Sequence, residues 1–432
     1  MKVTIATQEN QKELLKRPTK TVAAIEEEVY KIFEEVAREG DRAIQKYTTL
    51  FDGVSLDHFL IKKEEIKEAE KEVPTSLKKA IQQAKKNIEK FHKAQKVARI
   101  KIETVRGVVC WKEQRPIEKV GLYIPGGTAP LFSTILMLAV PAKIAGCKEL
   151  ILCTPPNKEG NVNPVILYAA ALCGVTNVYK VGGIQAIAAL TFGTETIGKV
   201  SKIFGPGNQY VTVAKQLATK YEVAIDMPAG PSELLVLADV SADPAFVASD
   251  LLSQAEHGVD SQVILVSDSL ELINETLEEI KKQLLKLPRK NIVKKALENA
   301  QAILVKDKYD AINFVNEYAP EHLIITTRND DFFIEKLINA GSVFIGKYTP
   351  ESAGDYASGT NHTLPTNGFA KAYSGVNLDS FMKSITFQKI SKKGIQNIGE
   401  IIEIMAEAEG LQAHKNAVSL RLKRLNGTNI NN

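Results

Sequence analysis

The chain contains no run of about 18 apolar residues, no Cys-x-x-Cys pair, no surplus of one charge and no Gly-x-Gly-x-x-Gly fingerprint. Without an apolar run of that length, no segment is expected to span a bilayer. The opening residues, Met-Lys-Val-Thr-Ile-Ala-Thr-Gln-Glu-Asn, also lack the apolar core of a secretion signal. The 55 basic and 51 acidic residues leave a net charge of +4, too even a balance to point to a nucleic acid or a membrane surface. The four cysteines are Cys110, Cys147, Cys153 and Cys173. The last three lie in apolar stretches such as Leu-Ile-Leu-Cys-Thr and Ala-Ala-Leu-Cys-Gly, which predicts buried, reduced thiols and a cytoplasmic protein. In place of the dinucleotide fingerprint stand two Gly-rich turns, Ile-Pro-Gly-Gly-Thr at 124–128 and Phe-Gly-Pro-Gly-Asn at 204–208. Such turns let backbone amides approach a phosphate, or serve only as turns.

What is present is the composition of a globular protein. It is 44% hydrophobic and 25% charged over 432 residues, room for about two to four domains. Val22, Ile25, Val29, Ile32, Phe33 and Val36 recur at helical spacing up to Gly40, and a second helical pattern covers 76–97. The first hundred residues therefore read as helices, and the mixed-charge run at 62–72 as a solvated helix face. His58 and His92 read as surface residues. From about 120, short apolar runs alternate with helical patterns. Strands are expected at 121–124, 149–153, 177–181 and 202–204, and again at 234–237, 262–266, 302–305, 323–326 and 342–345. This rhythm predicts parallel sheets with crossover helices: an α/β protein of two units of similar texture, at 121–231 and from 232 to about 346. The helical N-terminal region is expected to pack on the second of these. From about 380 the chain reads as helical, with an apolar stripe at Ile398, Ile401, Ile402, Ile404 and Met405.

Only six histidines occur, and four stand in the second half with a carboxylate nearby: His257 with Glu256, His322 with Glu321, His362 with Asp355, and His414 with Glu409. Imidazoles and carboxylates bind divalent metals and move protons near neutral pH. Gln254 and His257 are three apart on a predicted helix ended by Gly258, so they share a face and can reach one ion, or simply cap a helix end. The segment 350–365 has no helical or strand period and reads as a loop able to wrap a ligand. Glu321 and His322 fall at the start of a predicted strand, whereas ligands of open α/β sheets usually lie beyond strand carboxyl ends. Spacing alone leaves their role open.

Together these segments resemble histidinol dehydrogenases. The resemblance rests on Gly-Leu-Tyr-Ile-Pro-Gly-Gly (121–127), Gly-Pro-Gly-Asn (205–208), Ile-Asp-Met-Pro-Ala-Gly-Pro-Ser-Glu (225–233), Asp-Leu-Leu-Ser-Gln-Ala-Glu-His-Gly (250–258), Pro-Glu-His-Leu-Ile (320–324) and Glu-Ser-Ala-Gly-Asp-Tyr-Ala-Ser-Gly-Thr-Asn-His (351–362). It runs from about 115 to 425. It implies two incomplete Rossmann-like domains, 121–231 with the NAD site and 20–120 with 232–376, between a helical segment 1–19 and a tail 377–432 that reaches a partner subunit. It implies a zinc- and NAD-dependent oxidation of L-histidinol to L-histidine through the aldehyde. The implied zinc ligands are Gln254, His257, Asp355 and, from the other subunit of a homodimer, His414. Glu321 and His322 match the proton acceptors. Ser232, His362 and Glu409 match substrate contacts, as do His322 and the metal ligands. Tyr123, Gln185 and Asn208 match the NAD site. The alternatives are a dehydrogenase of the same fold acting on another amino alcohol or a sulfonated alcohol, a zinc hydrolase, and a non-enzymatic binding module.

Overall fold

A computed structural model describes residues 1–7, 9–17, 23–126, 130–228 and 230–427. Val22 of the first helical pattern, Gly127 and Thr128 of the first Gly-rich turn, and Ala229 lie outside the described residues. The chain forms two compact units, residues 1–95 with 117–381 and residues 96–116 with 382–432.

In chain order the first unit opens with β1 (Lys2–Ile5) and α1 (Gln11–Leu14), then α2 (Ala23–Glu39), α3 (Asp41–Asp52), α4 (Lys63–Glu72) and α5 (Thr75–Ala94). The second unit takes β2 (Lys101–Val105) and β3 (Val108–Pro116). An alternating stretch follows in the first unit: β4 (Lys119–Tyr123), α6 (Phe132–Ala145), β5 (Glu149–Thr154), α7 (Pro164–Leu172), β6 (Asn177–Lys180), α8 (Gly183–Phe192), β7 (Lys202–Phe204), α9 (Gln209–Ala218) and β8 (Ala224–Ile225). A second alternation comprises β9 (Glu233–Ala238), α10 (Pro244–Ala255), β10 (Gln262–Ser267), α11 (Leu270–Leu284), α12 (Lys290–Glu298), β11 (Gln301–Leu304), α13 (Lys308–Tyr318), β12 (His322–Thr326), α14 (Asp330–Lys336), β13 (Ser342–Ile345) and α15 (Glu351–Tyr356). The second unit ends the chain with β14 (Met382–Ile390), α16 (Lys392–Ala408) and α17 (Gln412–Leu425).

Two all-parallel sheets result, in the orders β6-β5-β4-β7-β8 and β1-β11-β10-β9-β12-β13. Counted within its own stretch, each has its strands in the order third, second, first, fourth, fifth, with β1 added at one edge of the larger sheet. The similar texture of the two stretches is thus a shared topology. The strands β9 and β10 are buried along their whole length. Strands covered by helices on both faces need such continuous apolar runs.

Four features differ from the sequence reading. Residues 2–5 form a strand rather than a helix, paired with β11. Four residues are too few for periodicity to register, and their partner lies about 300 positions away in sequence. The N-terminal helices pack on the smaller sheet, not the larger: α2 lies against α8 and α9, α4 against α7, and α5 against α6. The reason lies in those inner helices. α8 is almost wholly buried, so it has no polar face to offer solvent and requires a second layer. Val29, Ile32, Phe33 and Val36 supply it and share a core with Ile187 and Leu190. His92, expected at the surface, is fully buried on α5, with Nδ1 2.9 Å from the Ile88 carbonyl. Finally, 382–390 is a strand between two regions of helical pattern. It pairs antiparallel with β3, which also pairs with β2, so 96–116 belongs with the tail and not with 20–95. Trp111 stacks on Phe387 across this ribbon at 5.2 Å.

Candidate active site

In the first unit the carboxyl ends of the smaller sheet and the amino ends of the larger one supply a common cleft. Asn208, Ser232, His257, Glu321, His362 and Thr366 line it, around a volume of about 230 Å³. The two sheets use opposite ends. In the smaller sheet the chain reverses direction of growth between β4 and β7, and ligands of open α/β sheets favour the crevice beyond strand carboxyl ends at such a point. At the carboxyl ends of β9 and β12 in the larger sheet, Asp239 ties the two together: its backbone N–H donates to the Thr326 carbonyl and its carboxylate accepts from Arg328 N–H at 2.8 Å. The functional side chains of that sheet sit at the other end, where β9 and β12 begin.

Glu321 and His322 occupy that end, both buried. His322 Nδ1 lies 3.1 Å from the Glu233 carbonyl. A carbonyl only accepts, so Nδ1 carries the proton and Nε2 is the nitrogen free to act as a base. Nε2 is buried without a hydrogen-bond partner. Glu321 Oε2 accepts from the Glu233 backbone N–H at 2.7 Å. One residue thus holds both members of the pair, which resolves how neighbours in sequence serve one site: Glu321 precedes the strand and His322 begins it.

Three carboxylates surround the imidazole. Glu351 Oε1 is 3.4 Å from Nδ1, Glu321 Oε2 is 3.6 Å from Nδ1, and Asp355 Oδ1 is 3.8 Å from Nε2. Burial by itself disfavours the imidazolium, but Glu351, Glu321 and Asp355 outweigh it and push the His322 pKa upward. Burial likewise pushes Glu351 up, against the pull of His322. His362 is shifted the other way: burial lowers it, and Asp355 only partly opposes. Both its nitrogens are engaged, Nδ1 with the Asp355 carbonyl at 3.0 Å and Nε2 with Thr134 Oγ1 at 3.1 Å.

The arrangement fits a metal ion on its own chemistry. Donor atoms of His257, Glu351 and Asp355 lie within 4.8 Å of one another. Gln254 is fully buried on α10, which packs on α15, and neither atom of its amide has a hydrogen-bond partner among the described residues. Both Glu351 oxygens are also buried and accept no hydrogen bond among the described residues. Leaving buried polar atoms unpaired costs about 1–3 kcal/mol for each group, so their concentration at one point marks a place built for a ligand. Imidazole, carboxylate and amide donors suit a borderline cation such as zinc.

Of the predicted cofactor residues, Tyr123 ends β4, and its buried hydroxyl accepts from Gly183 N–H at 3.0 Å. Gln185 lies in the first turn of α8, with Oε1 buried and without a hydrogen-bond partner among the described residues. Asn208 caps α9, its side chain accepting from Val211 N–H. The Gly205–Asn208 turn follows β7 and presses on β4: a Cβ at Gly205, where φ is +128°, would lie 2.0 Å from the Tyr123 carbonyl oxygen. Tyr123 and this turn therefore flank the β4–β7 crevice. A larger cleft of about 620 Å³ lies beyond the ends of β4 and β5, lined in part by Pro125, Thr154, Pro155 and Glu65.

Glu409 and His414 belong to the second unit. Glu409 ends α16, His414 lies in the first turn of α17, and both are exposed. The sequence reading missed Glu351, Thr134, Glu233 and Arg17. Only Glu351 had a signal, since it stands four residues before Asp355 and so shares its helical face. That segment had looked like a loop. The six residues of α15 are set by packing, because Gly354 leaves no room for a Cβ against the Phe344 ring. All four cysteines are free, and burial pushes Cys147 up to about 11 and Cys153 up to about 12, values that keep a thiol unreactive.

The histidinol dehydrogenase family profile matches residues 15–422. A histidinol dehydrogenase of Bacteroides thetaiotaomicron is 60% identical over 413 residues, 96% of each chain. One of Haemophilus influenzae is 54% identical over 402 residues, 93% of each. The crystal structure of histidinol dehydrogenase from Elizabethkingia anophelis matches with a TM-score of 0.97 at 56% identity, over 99% of both chains.

Proposed function

From the premise that the chain belongs to the histidinol dehydrogenase family, we propose how its residues carry out the reaction. The chain is an oxidoreductase that oxidises histidinol to histidine, a step of histidine biosynthesis. The observation that carries the mechanism is His322, with Nδ1–H tied to a backbone carbonyl and Nε2 left bare beside the donor cluster.

Zinc on Gln254, His257 and Asp355, completed by His414 of a second copy, would hold the substrate's imidazole and amino nitrogens, and NAD in the β4–β7 crevice would take the hydride. His322 Nε2 accepts the hydroxyl proton of the alcohol. Glu351, Glu321 and the metal-holding Asp355 raise the His322 pKa, so their charge must be balanced before the imidazole is neutral. Glu321, held by its Oε2, takes with Oε1 the proton of the water that adds to the aldehyde. The hydride of the hydrated carbon would then pass to a second NAD, and the proton of its remaining hydroxyl passes to His322 Nε2, whose first proton has gone to solvent, leaving the carboxylate. Ser232, His362 and Glu409 orient the substrate. His362, neutral and tied to Thr134, does so as a shaped wall rather than as a base. No thiol takes part.

The reading of a homodimer is supported by the second unit, where Ile401, Ile404, Met405, Leu411 and Leu420 are exposed. Free cysteines suit the cytoplasm, and among the described residues no helix is long and apolar enough to cross a membrane.

The test is NADH formation by purified, zinc-loaded protein with NAD and L-histidinol, beside a His322→Ala variant. Two NADH per histidinol are expected, with the variant slower by about 10²–10⁴-fold. A folded, zinc-loaded protein that forms no NADH, or a variant as fast as the parent, would refute the assignment.

A further inference from the structure

Glu233 is the first residue of β9, and its carboxylate is fully buried. It lines no part of the cleft and has no place in the proton transfers above. Its backbone nevertheless makes both contacts that fix the acid–base pair: its N–H donates to Glu321 Oε2 at 2.7 Å, and its carbonyl accepts from His322 Nδ1 at 3.1 Å. A buried carboxylate persists only with a partner. The partner is Arg17, 216 positions earlier in the chain. Arg17 Nε lies 2.5 Å from Oε1, and Nη2 lies 3.0 Å from Oε2. The planar guanidinium is itself pinned. Nη2 donates to the Tyr318 carbonyl at 2.7 Å, and the group lies 3.9 Å over the Tyr318 ring. Asn367 N–H completes the shell of the carboxylate at 2.9 Å from Oε1.

We propose that Arg17 is a positioning residue for the acid–base pair, acting through the Glu233 carboxylate on the peptide groups that hold Glu321 and His322. The proposal rests on the reading of that pair given above. A bidentate guanidinium–carboxylate pair fixes orientation as well as distance, and here it fixes the side chain whose own backbone makes the two catalytic contacts. Without Arg17 the buried carboxylate must take up a proton or turn towards water. Either change moves the peptide between Ser232 and Glu233, while Gln254, Glu351 and Asp355 of the donor cluster stand on α10 and α15. The expected signature is a loss of turnover with NAD and zinc binding retained.

The experiment compares Arg17→Ala, Arg17→Lys and the double variant Arg17→Ala/Glu233→Gln in the zinc-loaded enzyme. Arg17→Ala should lose at least tenfold in kcat, with KM for NAD and the zinc content within twofold of the parent. Guanidinium chloride at millimolar concentration should restore kcat saturably in Arg17→Ala, and methylammonium should not, because only the planar fork spans both oxygens. Arg17→Lys should recover part of the loss, and the double variant should exceed Arg17→Ala because it buries no unpaired charge. Deuterium exchange followed by mass spectrometry should show faster exchange in the peptide over 230–236 in Arg17→Ala, and unchanged exchange over 262–267. A kcat equal to the parent's, or a loss that neither guanidinium nor the double variant relieves, would overturn the proposal. The exchange result stands apart from the reaction: an inactive parent refutes the function, whereas unchanged exchange over 230–236 refutes the anchor.

Discussion

Gln254 shows what a single residue can disclose. It is fully buried on an apolar helix, and neither its carbonyl nor its amino group finds a hydrogen-bond partner among the described residues. A core would be better served by leucine, so the amide is retained at a cost in stability for what it binds. Gln254→Leu should therefore stabilise the metal-free protein by about 1–3 kcal/mol in urea denaturation. The same change should weaken zinc binding, read by chelator competition. A variant that is destabilised and binds zinc normally would contradict this reading. At this scale much was legible. Gln254, His257, Glu321, His322, Asp355 and His362 carry polar chemistry in stretches whose neighbours are apolar or small. Glu233 and Arg17 were not legible, because a buried ion pair across 216 positions leaves no local pattern.

Among elements, the turn after β7 is held by a buried network. Lys215 on α9 lies 2.5 Å from Asp226 Oδ1 and donates to the Gly205 carbonyl at 2.8 Å, while Asp226 Oδ2 accepts from Gly205 N–H. This clasp joins α9, the turn and the end of β8 at the rim of the cleft. Lys215→Met leaves the buried Asp226 carboxylate its backbone donors Gly205 and Met227 but removes its nearest cation, and should cost about 3–5 kcal/mol of unfolding free energy, measured by denaturant titration. It should also raise KM for NAD. A variant as stable as the parent would show that water reaches Asp226. Alternating elements were readable because strands and crossover helices in the two stretches each carry their own period. β1 and α15 were not, since four and six residues are too short for a period to register. β14 was missed because a strand edge is defined by its partner β3, far off in sequence.

For the molecule as a whole, the catalytic and donor residues of the first unit and His414 of the second belong to one chain but, in the proposed dimer, to different sites. Mixing two inactive variants tests this. His322→Ala and His414→Ala, unfolded and refolded together, should regain about a quarter of parental activity, since half of the dimers are mixed and each mixed dimer rebuilds one of two sites. Refolding either variant alone should restore none. If the mixture stays inactive while dimers form, the ligand is not shared between subunits.

The sequence by itself determined the class of fold, the parallel alternation in two stretches and most of the groups that meet in the candidate site, because periodicity and residue chemistry are local. It also carried the family in its motifs. Tertiary structure decided which end of each sheet is used, which sheet the N-terminal helices cover, and that Glu351 joins the donor cluster. It alone ties Arg17 to Glu321 and His322 through one buried carboxylate. These outcomes depend on desolvation and on contacts between distant segments, and both come into being only when the chain closes on itself.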